Sequence, residues 1–167
     1  MKTILWATLS ANGNYARATP GNPPRPEALR DFAAQAAACG NFIVGRKTFE
    51  GFADNGPNPA FAGLDIVVVS SRPVHVPGVI WAATPSQALR RLEGRGHKAA
   101  LLSGGASLHN SLLASDLVDE AVLNIAPFLE SEGLHIHLAQ AGHRNVTLLG
   151  VEKLGAGITQ LRYSLRG

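Results

Sequence analysis

A pair of adjacent glycines, Gly104 and Gly105, is the stretch of this sequence best suited to hold an anionic ligand. The pair follows an apolar run at 99–102 and precedes leucines at helical spacing, so the pattern predicts a strand, a tight turn and a helix. Glycine has no Cβ atom to hold a ligand away from the backbone, and the first N–H groups of a helix have no partner within it. The turn at 103–107 therefore predicts a phosphate site, although such a pair is more often a plain turn.

Arginine, lysine and hydroxyl side chains occupy two more turns of the same kind. Gly45-Arg46-Lys47-Thr48 follows one apolar run, and Ser70-Ser71-Arg72-Pro73 follows the most strand-like run of the chain, 66–69. Arginine is a permanent cation whose forked donors match a phosphate group. Each arginine alone is more often a solvated side chain, but together and in this order the turns indicate an anion-binding site.

The elements that must position these turns alternate between strand and helix. The predicted order is β-α-β-α-β-β-α-β-α-β, followed by a hairpin that closes at 154–157. This order predicts a three-layer α/β/α fold with a mixed, mostly parallel sheet and a C-terminal antiparallel hairpin. In such a sheet the turns at 10–14, 45–48, 70–73 and 103–107 meet at the carboxyl ends of the strands, where ligands bind.

The first helix is predicted to begin at Pro26 and to end at Gly40, after a loop with four prolines between residues 19 and 26. Its apolar stripe is predicted to comprise Leu29, Phe32, Ala33, Ala36 and Ala37. At about 100° per residue, Glu27 and Asp31 then fall on the opposite face. No carboxylate is therefore expected on the inward face of this helix.

Length, composition and charge exclude several classes of protein. With 167 residues, 46% of them hydrophobic and 16% charged, the chain is expected to form one globular domain over residues 1–167. The net charge is +3, but no run of Lys or Arg provides the clustered basic face that a nucleic-acid partner needs. The apolar start at 3–11 is interrupted by Thr8 and Ser10, and no run approaches the roughly 20 apolar residues of a membrane span. We expect a cytoplasmic protein with a small-molecule substrate and no membrane partner.

Metal binding is not predicted. Cys39 is the only cysteine, which excludes an internal disulfide and a cysteine-based metal cage. His135 and His137 would share one face of a strand, but no third ligand follows in pattern. A solvated edge is the simpler interpretation of this pair.

Five short motifs, taken in order, are similar to those of a known family. They are Phe42–Glu50, Val69–Pro73, Ser103–Ala106, Leu117–Glu120 and Ile125–Pro127. By these motifs the chain resembles the dihydrofolate reductase superfamily across residues 3–165, and within it the branch of the reductase domain of the bifunctional riboflavin-biosynthesis protein. The resemblance implies a dihydrofolate reductase-like fold and an NADPH-dependent reductase.

NADPH is the cofactor that this resemblance implies, and the predicted turns suit its charged groups. Arg46 and Arg72 would hold the adenosine 2′-phosphate, Thr48 and the glycine turn would hold the pyrophosphate, and Ala7 would leave room for the nicotinamide ring. The implied cofactor-binding residues are Ala7, Gly45, Arg46, Lys47, Thr48, Ser70, Ser71, Arg72, Gly104, Gly105, Ala106 and Ser107.

The catalytic residues depart from the pattern of both relatives. The riboflavin branch usually has Asp where this chain has Asn12 and often Glu where it has Ser103. The candidates that remain are Asn12, Ser103 and His109, of which His109 could donate a proton near neutral pH or be an ordinary helix residue, with water as the donor. A neutral acceptor between Ala7 and these three residues is predicted, with slow or absent turnover of dihydrofolate and of the phosphoribosylamino-pyrimidine.

Several functions remain open at this stage. The first is an NADPH-dependent reductase of a small heterocycle, carbonyl compound or imine, and the second is a catalytically silent NADPH-binding module of the same fold. Reduction in riboflavin biosynthesis is a third, which lacks an evident basic partner set for a ribose 5-phosphate. Because the two apolar strands at 146–151 and 158–165 would leave an exposed edge, a homodimer is also predicted.

Overall fold

The computed structural model describes residues 1–54 and 56–167. Within these residues the chain forms eight strands, four α-helices and a short 3₁₀ turn at Pro59–Phe61. The helices and strands are β1 (Lys2–Ser10), α1 (Pro26–Cys39), β2 (Asn41–Gly45), α2 (Arg46–Ala53), β3 (Asp65–Val69), β4 (Val79–Ala82), α3 (Pro85–Gly94), β5 (Ala99–Gly104), α4 (Ala106–Ala114), β6 (Glu120–Ala126), β7 (Thr147–Gly155) and β8 (Ile158–Ser164).

All strands join one sheet in the order β4-β3-β2-β5-β1-β6-β8-β7. The strands from β4 to β6 are parallel, and β8 pairs antiparallel with both β6 and β7. The predicted element order and fold class are thereby confirmed. The six parallel strands bring their carboxyl ends to one edge of the sheet, which is where the predicted turns lie.

Alternation along β1 divides the core into two layers. Leu5, Ala7 and Leu9 pack on the face covered by α3 and α4, whereas Ile4 and Trp6 pack on the face covered by α1. Successive side chains of a strand point to opposite faces, so one central strand supplies both cores. The alternation fixes the register of β1, because a slip of one residue would exchange its two faces.

The ends of α1 agree with the prediction, but its buried face does not. Gly40 closes the helix with φ of 71° and donates its N–H to the carbonyl of Ala37. The buried residues are Ala28, Phe32 and Ala36, at a spacing of four, and Leu29 is 53% exposed. The predicted stripe was wrong at Leu29 and at Ala37, which is also exposed. A helical wheel does not show which apolar side chains face the core.

Asp31 is consequently turned toward the sheet, and the prediction that no carboxylate lies on the inward face of α1 is wrong. Asp31 Oδ2 accepts hydrogen bonds from Trp6 Nε1 at 2.7 Å and from Gln160 Nε2 at 2.8 Å. Both donors are neutral, so these bonds satisfy the carboxylate without an ion pair.

The C-terminal hairpin leaves one edge strand open. β8 lies between β6 and β7, so the exposed edge that was predicted for this pair of strands is formed by β7. Ala156 and Gly157 turn the hairpin with φ of 52° and 78°, as in a type I′ turn. The side chains of Leu148, Leu149 and Val151 are each about half exposed.

Across residues 1–54 and 56–167, no helix combines the length and apolar character needed to cross a bilayer.

Candidate functional site

The candidate site opens where β1 separates from β5. These two strands pair only as far as Leu5 and Leu102, and β5 then pairs with β2 up to Gly104. β1 meanwhile remains paired with β6 to its end. The resulting gap between β1 and the 103–107 turn lies at the carboxyl ends of the strands, where open α/β sheets bind their ligands.

Two adjoining cavities occupy this edge of the sheet. The polar cavity, defined by residues 45–48, 69–71 and 105–108, has a volume of about 530 Å³. The apolar cavity, defined by residues 6–8 and 103–106 with Leu29 and Phe128, has a volume of about 310 Å³. The residues that line both are Thr48, Gly105, Ala106 and Leu134. The cavities therefore form one continuous groove.

Two helices begin at the polar cavity without a side-chain cap. Gly45 precedes α2 and Gly105 precedes α4, and neither helix start has a capping hydrogen bond among the described residues. By contrast, α3 is capped by Thr84, whose hydroxyl accepts from the Gln87 N–H at 3.2 Å. A Cβ atom on Gly105 would lie 3.1 Å from Thr48 Oγ1, so glycine keeps the approach to these N–H groups open. The two starts form a cradle for an anion.

Gly104→Ala is expected to lower the free energy of unfolding by about 1–3 kcal/mol, because residue 104 has a backbone conformation that L side chains rarely adopt. Its φ is +114°, and an added Cβ would lie 3.4 Å from Cε1 of His109. Gly51→Ala, in a helix with nothing within 4 Å of the new Cβ, should leave stability unchanged or raise it by up to about 1 kcal/mol. Chemical denaturation compares the two variants, and equal effects would show that the turn tolerates a side chain.

Positive charge at the polar cavity comes from Arg46 and Lys47 of α2. Arg46 Nη1 lies 2.9 Å from Oε1 of Glu50, one helical turn later, and both side chains are largely solvated. Ser70 and Ser71 also line this cavity. Hydroxyls and cations that face uncapped helix starts are the donors that a dinucleotide phosphate requires.

Most of the residues implied to bind the cofactor are brought together here. Ala7 and Gly104 line the apolar cavity, Arg72 lines neither cavity, and the others line the polar cavity. The residues of that last group are Gly45, Arg46, Lys47, Thr48, Ser70, Ser71, Gly105, Ala106 and Ser107. Arg72, which the sequence paired with Arg46, is thus the one of the twelve implied residues that lines neither cavity.

Two arginines that sequence reasoning missed line the apolar cavity. Arg17 precedes the proline-rich loop at 19–26, and Arg25 lies near the end of that loop. Arg25 stacks its guanidinium 5.5 Å from the ring centroid of Phe128 and donates to Asn22 Oδ1 at 3.0 Å. Its Nε atom is buried without a partner among the described residues. Their positions close to the two ends of the proline-rich loop were the available signal in the sequence.

Asn12 lies outside both cavities. Its Oδ1 accepts from Ser10 Oγ at 2.7 Å and from the Glu130 N–H at 3.0 Å, and its Nδ2 donates to the Glu130 carbonyl at 2.7 Å. The amide thus fastens the turn after β1 to the loop after β6. The prediction that Asn12 faces the acceptor is corrected, because its hydrogen bonds are made within the protein.

His109 is fully buried and lines neither cavity. Its Nε2 lies 2.8 Å from the Leu102 carbonyl and its Nδ1 lies 2.6 Å from the Tyr15 hydroxyl. Burial lowers the pKa of His109 to about 4, so the ring is neutral at pH 7. The prediction that His109 contacts the acceptor is corrected; Tyr15 lines the apolar cavity in its place.

Ser103 is the one predicted catalytic candidate that lines the apolar cavity. Asp31, the carboxylate of α1, does not reach it and instead lies behind Trp6. Gln160 continues this polar chain from Asp31 to Asn124 Oδ1, at 2.8 Å. The carboxylate therefore holds the indole that forms the cavity wall.

His135 and His137 contact Asn110. Asn110 Nδ2 donates to the His135 carbonyl at 3.1 Å, and the His137 N–H donates to Asn110 Oδ1 at 3.1 Å. Among the described residues, no group of three or more His, Cys, Asp or Glu side chains is arranged to hold a metal ion.

The sequence matches the model of one protein family, the RibD C-terminal domain, over residues 2–160. No curated protein matches the chain.

Solved structures with the same fold extend over nearly the whole chain. A candidate riboflavin biosynthesis protein from Shewanella sp. PV-4 is 18% identical, covers 98% of each chain and gives a TM-score of 0.78. A pyrimidine reductase-like protein from Corynebacterium diphtheriae is 15% identical over 98% of this chain and 91% of its own, with a TM-score of 0.74. RibD from Acinetobacter baumannii is 20% identical over 98% of this chain and 57% of its own, with a TM-score of 0.75.

Proposed function

The chain belongs to the RibD C-terminal domain family, and on this premise we propose that it is an NADPH-dependent reductase of a small heterocyclic, carbonyl or imine acceptor. The observation that carries the proposal is the continuous groove, in which a polar cavity for phosphates joins an apolar cavity at Thr48, Gly105 and Ala106. A dinucleotide that spans the junction would have its phosphates in the polar cavity and its nicotinamide ring in the apolar cavity.

The residues present fit NADPH on physical grounds. Two uncapped helix starts, the cations Arg46 and Lys47, and the hydroxyls of Ser70 and Ser71 supply donors for its phosphates. Ala7, which is 3% exposed, presents only a methyl group to the ring. When bound, NADPH supplies the hydride. The protein positions the acceptor next to Ala7 and Ser103 and holds water away with Trp6 and Phe128.

The proton that completes the reduction comes from water in this proposal. The titratable side chains that line the apolar cavity, over the described part of the chain, are Tyr15, Arg17 and Arg25. Burial raises the pKa of the Tyr15 hydroxyl above its ordinary value, so this group does not give up its proton readily. Because none of the described residues brings a carboxylate or imidazole to the cavity wall, a neutral acceptor that takes up hydride would be protonated by solvent.

The two arginines change the expected chemistry of the acceptor. Cations on a largely apolar wall favour a ligand with an anionic group, and the buried Nε of Arg25 has no partner among the described residues. The sequence predicted a wholly neutral acceptor. We propose instead an acceptor whose reacting ring is neutral but which carries a phosphate or carboxylate substituent. Arg17 and Arg25 would bind the substituent while the ring lies near Ala7 and Ser103.

Arg25→Gln should raise KM for an anionic acceptor by about tenfold or more, with a much smaller change in kcat, because a charged hydrogen bond contributes about 1.5–3 kcal/mol. Arg30→Gln, on the solvated face of α1, is the matched control and should change neither constant. Steady-state kinetics on both variants provides the measurement. A similar rise in KM for both would assign the effect to net charge alone.

The test of the proposed function is NADPH oxidation with a panel of acceptors, followed by absorbance. Dihydrofolate should turn over slowly or not at all, because Asp31 is engaged by Trp6 and Gln160 and does not reach the cavity. For the phosphoribosylamino-pyrimidine, Arg17 and Arg25 would supply the basic side chains for a ribose 5-phosphate that the sequence did not reveal. Asn12 and Ser103, however, are neutral where the riboflavin branch has acids. Efficient turnover of this compound would favour the riboflavin-pathway function over the broader one.

A silent NADPH-binding module is the second candidate function. It is favoured by the same feature that assigns the proton to water, since no acid or imidazole among residues 1–54 and 56–167 lines the apolar cavity. Binding of NADPH without oxidation by any acceptor in the panel would support the module. Turnover of one acceptor would exclude it.

A homodimer through β7 is proposed from its exposed apolar side chains. Leu148, Leu149 and Val151 lie on an edge strand with unpaired backbone groups, a surface that proteins usually cover. Light scattering at micromolar concentration should give twice the mass of the chain. Val151→Lys should shift it to the monomer, whereas Val76→Lys, at an exposed apolar residue on a distant loop, should not. A monomeric mass for the unchanged protein would contradict the proposal.

A further inference from the structure

Tyr15 lines the apolar cavity, and a buried histidine fixes the direction of its hydroxyl group. Tyr15 lines the cavity, and its Oη lies 2.6 Å from Nδ1 of His109. The two rings are tilted against each other with centroids 5.7 Å apart. Neither residue takes part in the reduction as proposed above, so the pair requires a separate account.

The carbonyl of Leu102 determines which nitrogen of His109 carries the proton. A backbone carbonyl only accepts hydrogen bonds, and it lies 2.8 Å from Nε2. Nε2 must therefore be the N–H of the neutral ring. Nδ1 is then a lone pair, and the short contact with Tyr15 requires that the phenol donate its proton to the imidazole.

A phenol that has given its only proton to a neighbour can act toward a ligand only as an acceptor. Among the described residues, no other group forms a hydrogen bond with the Tyr15 hydroxyl. Its remaining lone pair has no partner among these residues, and the cavity that Tyr15 lines is walled mainly by apolar side chains and backbone. In such surroundings a ligand N–H without a partner would lose its hydrogen bonds to water without replacement.

We propose that Tyr15 is a specificity-determining residue that accepts a hydrogen bond from an N–H or O–H group of the acceptor, a role that rests on the function proposed above. The acceptor would thus be a ring that bears an amino, amide or hydroxyl donor beside the carbon that receives the hydride. Rings that offer only carbonyl oxygens or unprotonated nitrogens at this position face the lone pair of the phenol and are rejected. His109 acts through Tyr15 as a positioning residue.

The test uses two probes of the same shape bound to the protein with NADP⁺. In 6-amino-1,3-dimethyluracil the exocyclic amine is the only N–H donor, and in 1,3,6-trimethyluracil a methyl group replaces it. Calorimetry should show the amine bound about tenfold more tightly to the unchanged protein. Tyr15→Phe should abolish this preference and leave the affinity of the trimethyl compound unchanged.

A merely structural role of Tyr15 would weaken both probes equally and is thereby distinguished. An equal affinity for the two compounds in the unchanged protein, or binding of neither, would overturn the proposal. The affinity for NADP⁺ should be equal in the unchanged protein and in Tyr15→Phe. If the unchanged protein did not bind NADP⁺ at all, the proposed function would be refuted instead.

The direction of the phenol is tested without any ligand. Long-range ¹⁵N–¹H spectra should show His109 as the Nε2–H tautomer at pH 7, in both the unchanged protein and Tyr15→Phe. Protonation at Nδ1 would overturn the inference even if NADP⁺ binds.

Discussion

Replacing Arg46 with Ala is expected to weaken NADPH binding by about ten- to a hundredfold while changing NADH binding far less. The guanidinium lines the polar cavity beside the uncapped start of α2. Loss of charge-assisted hydrogen bonds to a phosphate costs about 1.5–3 kcal/mol, and only NADPH carries the 2′-phosphate. Fluorescence titration of both dinucleotides is the measurement. Equal affinities for NADPH and NADH in the unchanged protein would show that Arg46 does not bind that group.

Two further variants make this prediction specific. Arg72→Ala removes the same charge from a residue that lies outside both cavities, so NADPH affinity should fall by no more than about threefold. Glu50→Gln removes the carboxylate that lies 2.9 Å from Arg46, which should free the guanidinium and tighten NADPH binding by about two- to fivefold. An equal loss in the two arginine variants would restore the sequence-based pairing of Arg46 with Arg72.

Lowering the pH below neutral is expected to destabilise the protein through His109 alone by about 3 kcal/mol. The unfolded chain protonates this residue near its ordinary pKa of 6.5, whereas burial lowers the native pKa to about 4. The unfolded state therefore binds more protons between these values, so the free energy of unfolding falls as the pH falls from 6.5 to about 4. Below that range His109 is protonated in both states and contributes no further slope. Denaturation across this range is the measurement.

His109→Gln isolates this contribution, because the amide can donate to the Leu102 carbonyl but does not titrate. The variant should lose the slope that His109 contributes while the other ionisable groups remain. Arg95 beside Asp65 and Arg166 beside Asp116 hold the pKa values of these carboxyls below their usual range. Their contribution is lost only below about pH 4, the ordinary pKa of Asp. Identical pH profiles for the variant and the unchanged protein would contradict the burial of a neutral imidazole.

The fold could be predicted because local signals along the chain agreed with one another. Pro26 and Gly40 mark the ends of α1. Thr84 caps α3, and the Gln87 side chain of the same turn accepts from the Ala83 N–H at 2.6 Å. Runs of β-branched and apolar residues gave the parallel strands. Such signals depend on short-range sterics and hydrogen bonds, which the sequence contains directly.

The buried face of α1 could not be predicted because Leu29, although apolar, does not pack in the core. It lines the apolar cavity, whereas the small residues Ala28 and Ala36 pack against the sheet. A periodicity argument assumes that the largest apolar residues face the core. At a ligand site this assumption fails, and here it also hid the inward position of Asp31.

The candidate site was predictable where it depends on turns and not where it depends on side-chain direction. Glycine turns and the charges of α2 follow from position along the chain alone. His109 and Asn12 are polar residues near the expected site, but each bonds within the protein. Arg17 and Arg25 lie eight residues apart on an irregular loop, where no periodicity links them. That they line the same cavity is evident only from the folded structure.

The most direct test of the NADPH groove is a map of amide chemical shifts during titration with NADP⁺. The account predicts that the largest changes lie at residues 45–48, 70–71 and 103–107, with smaller changes at Ala7. Changes confined to other surfaces, or no change at millimolar NADP⁺, would contradict the assignment of this groove to the cofactor.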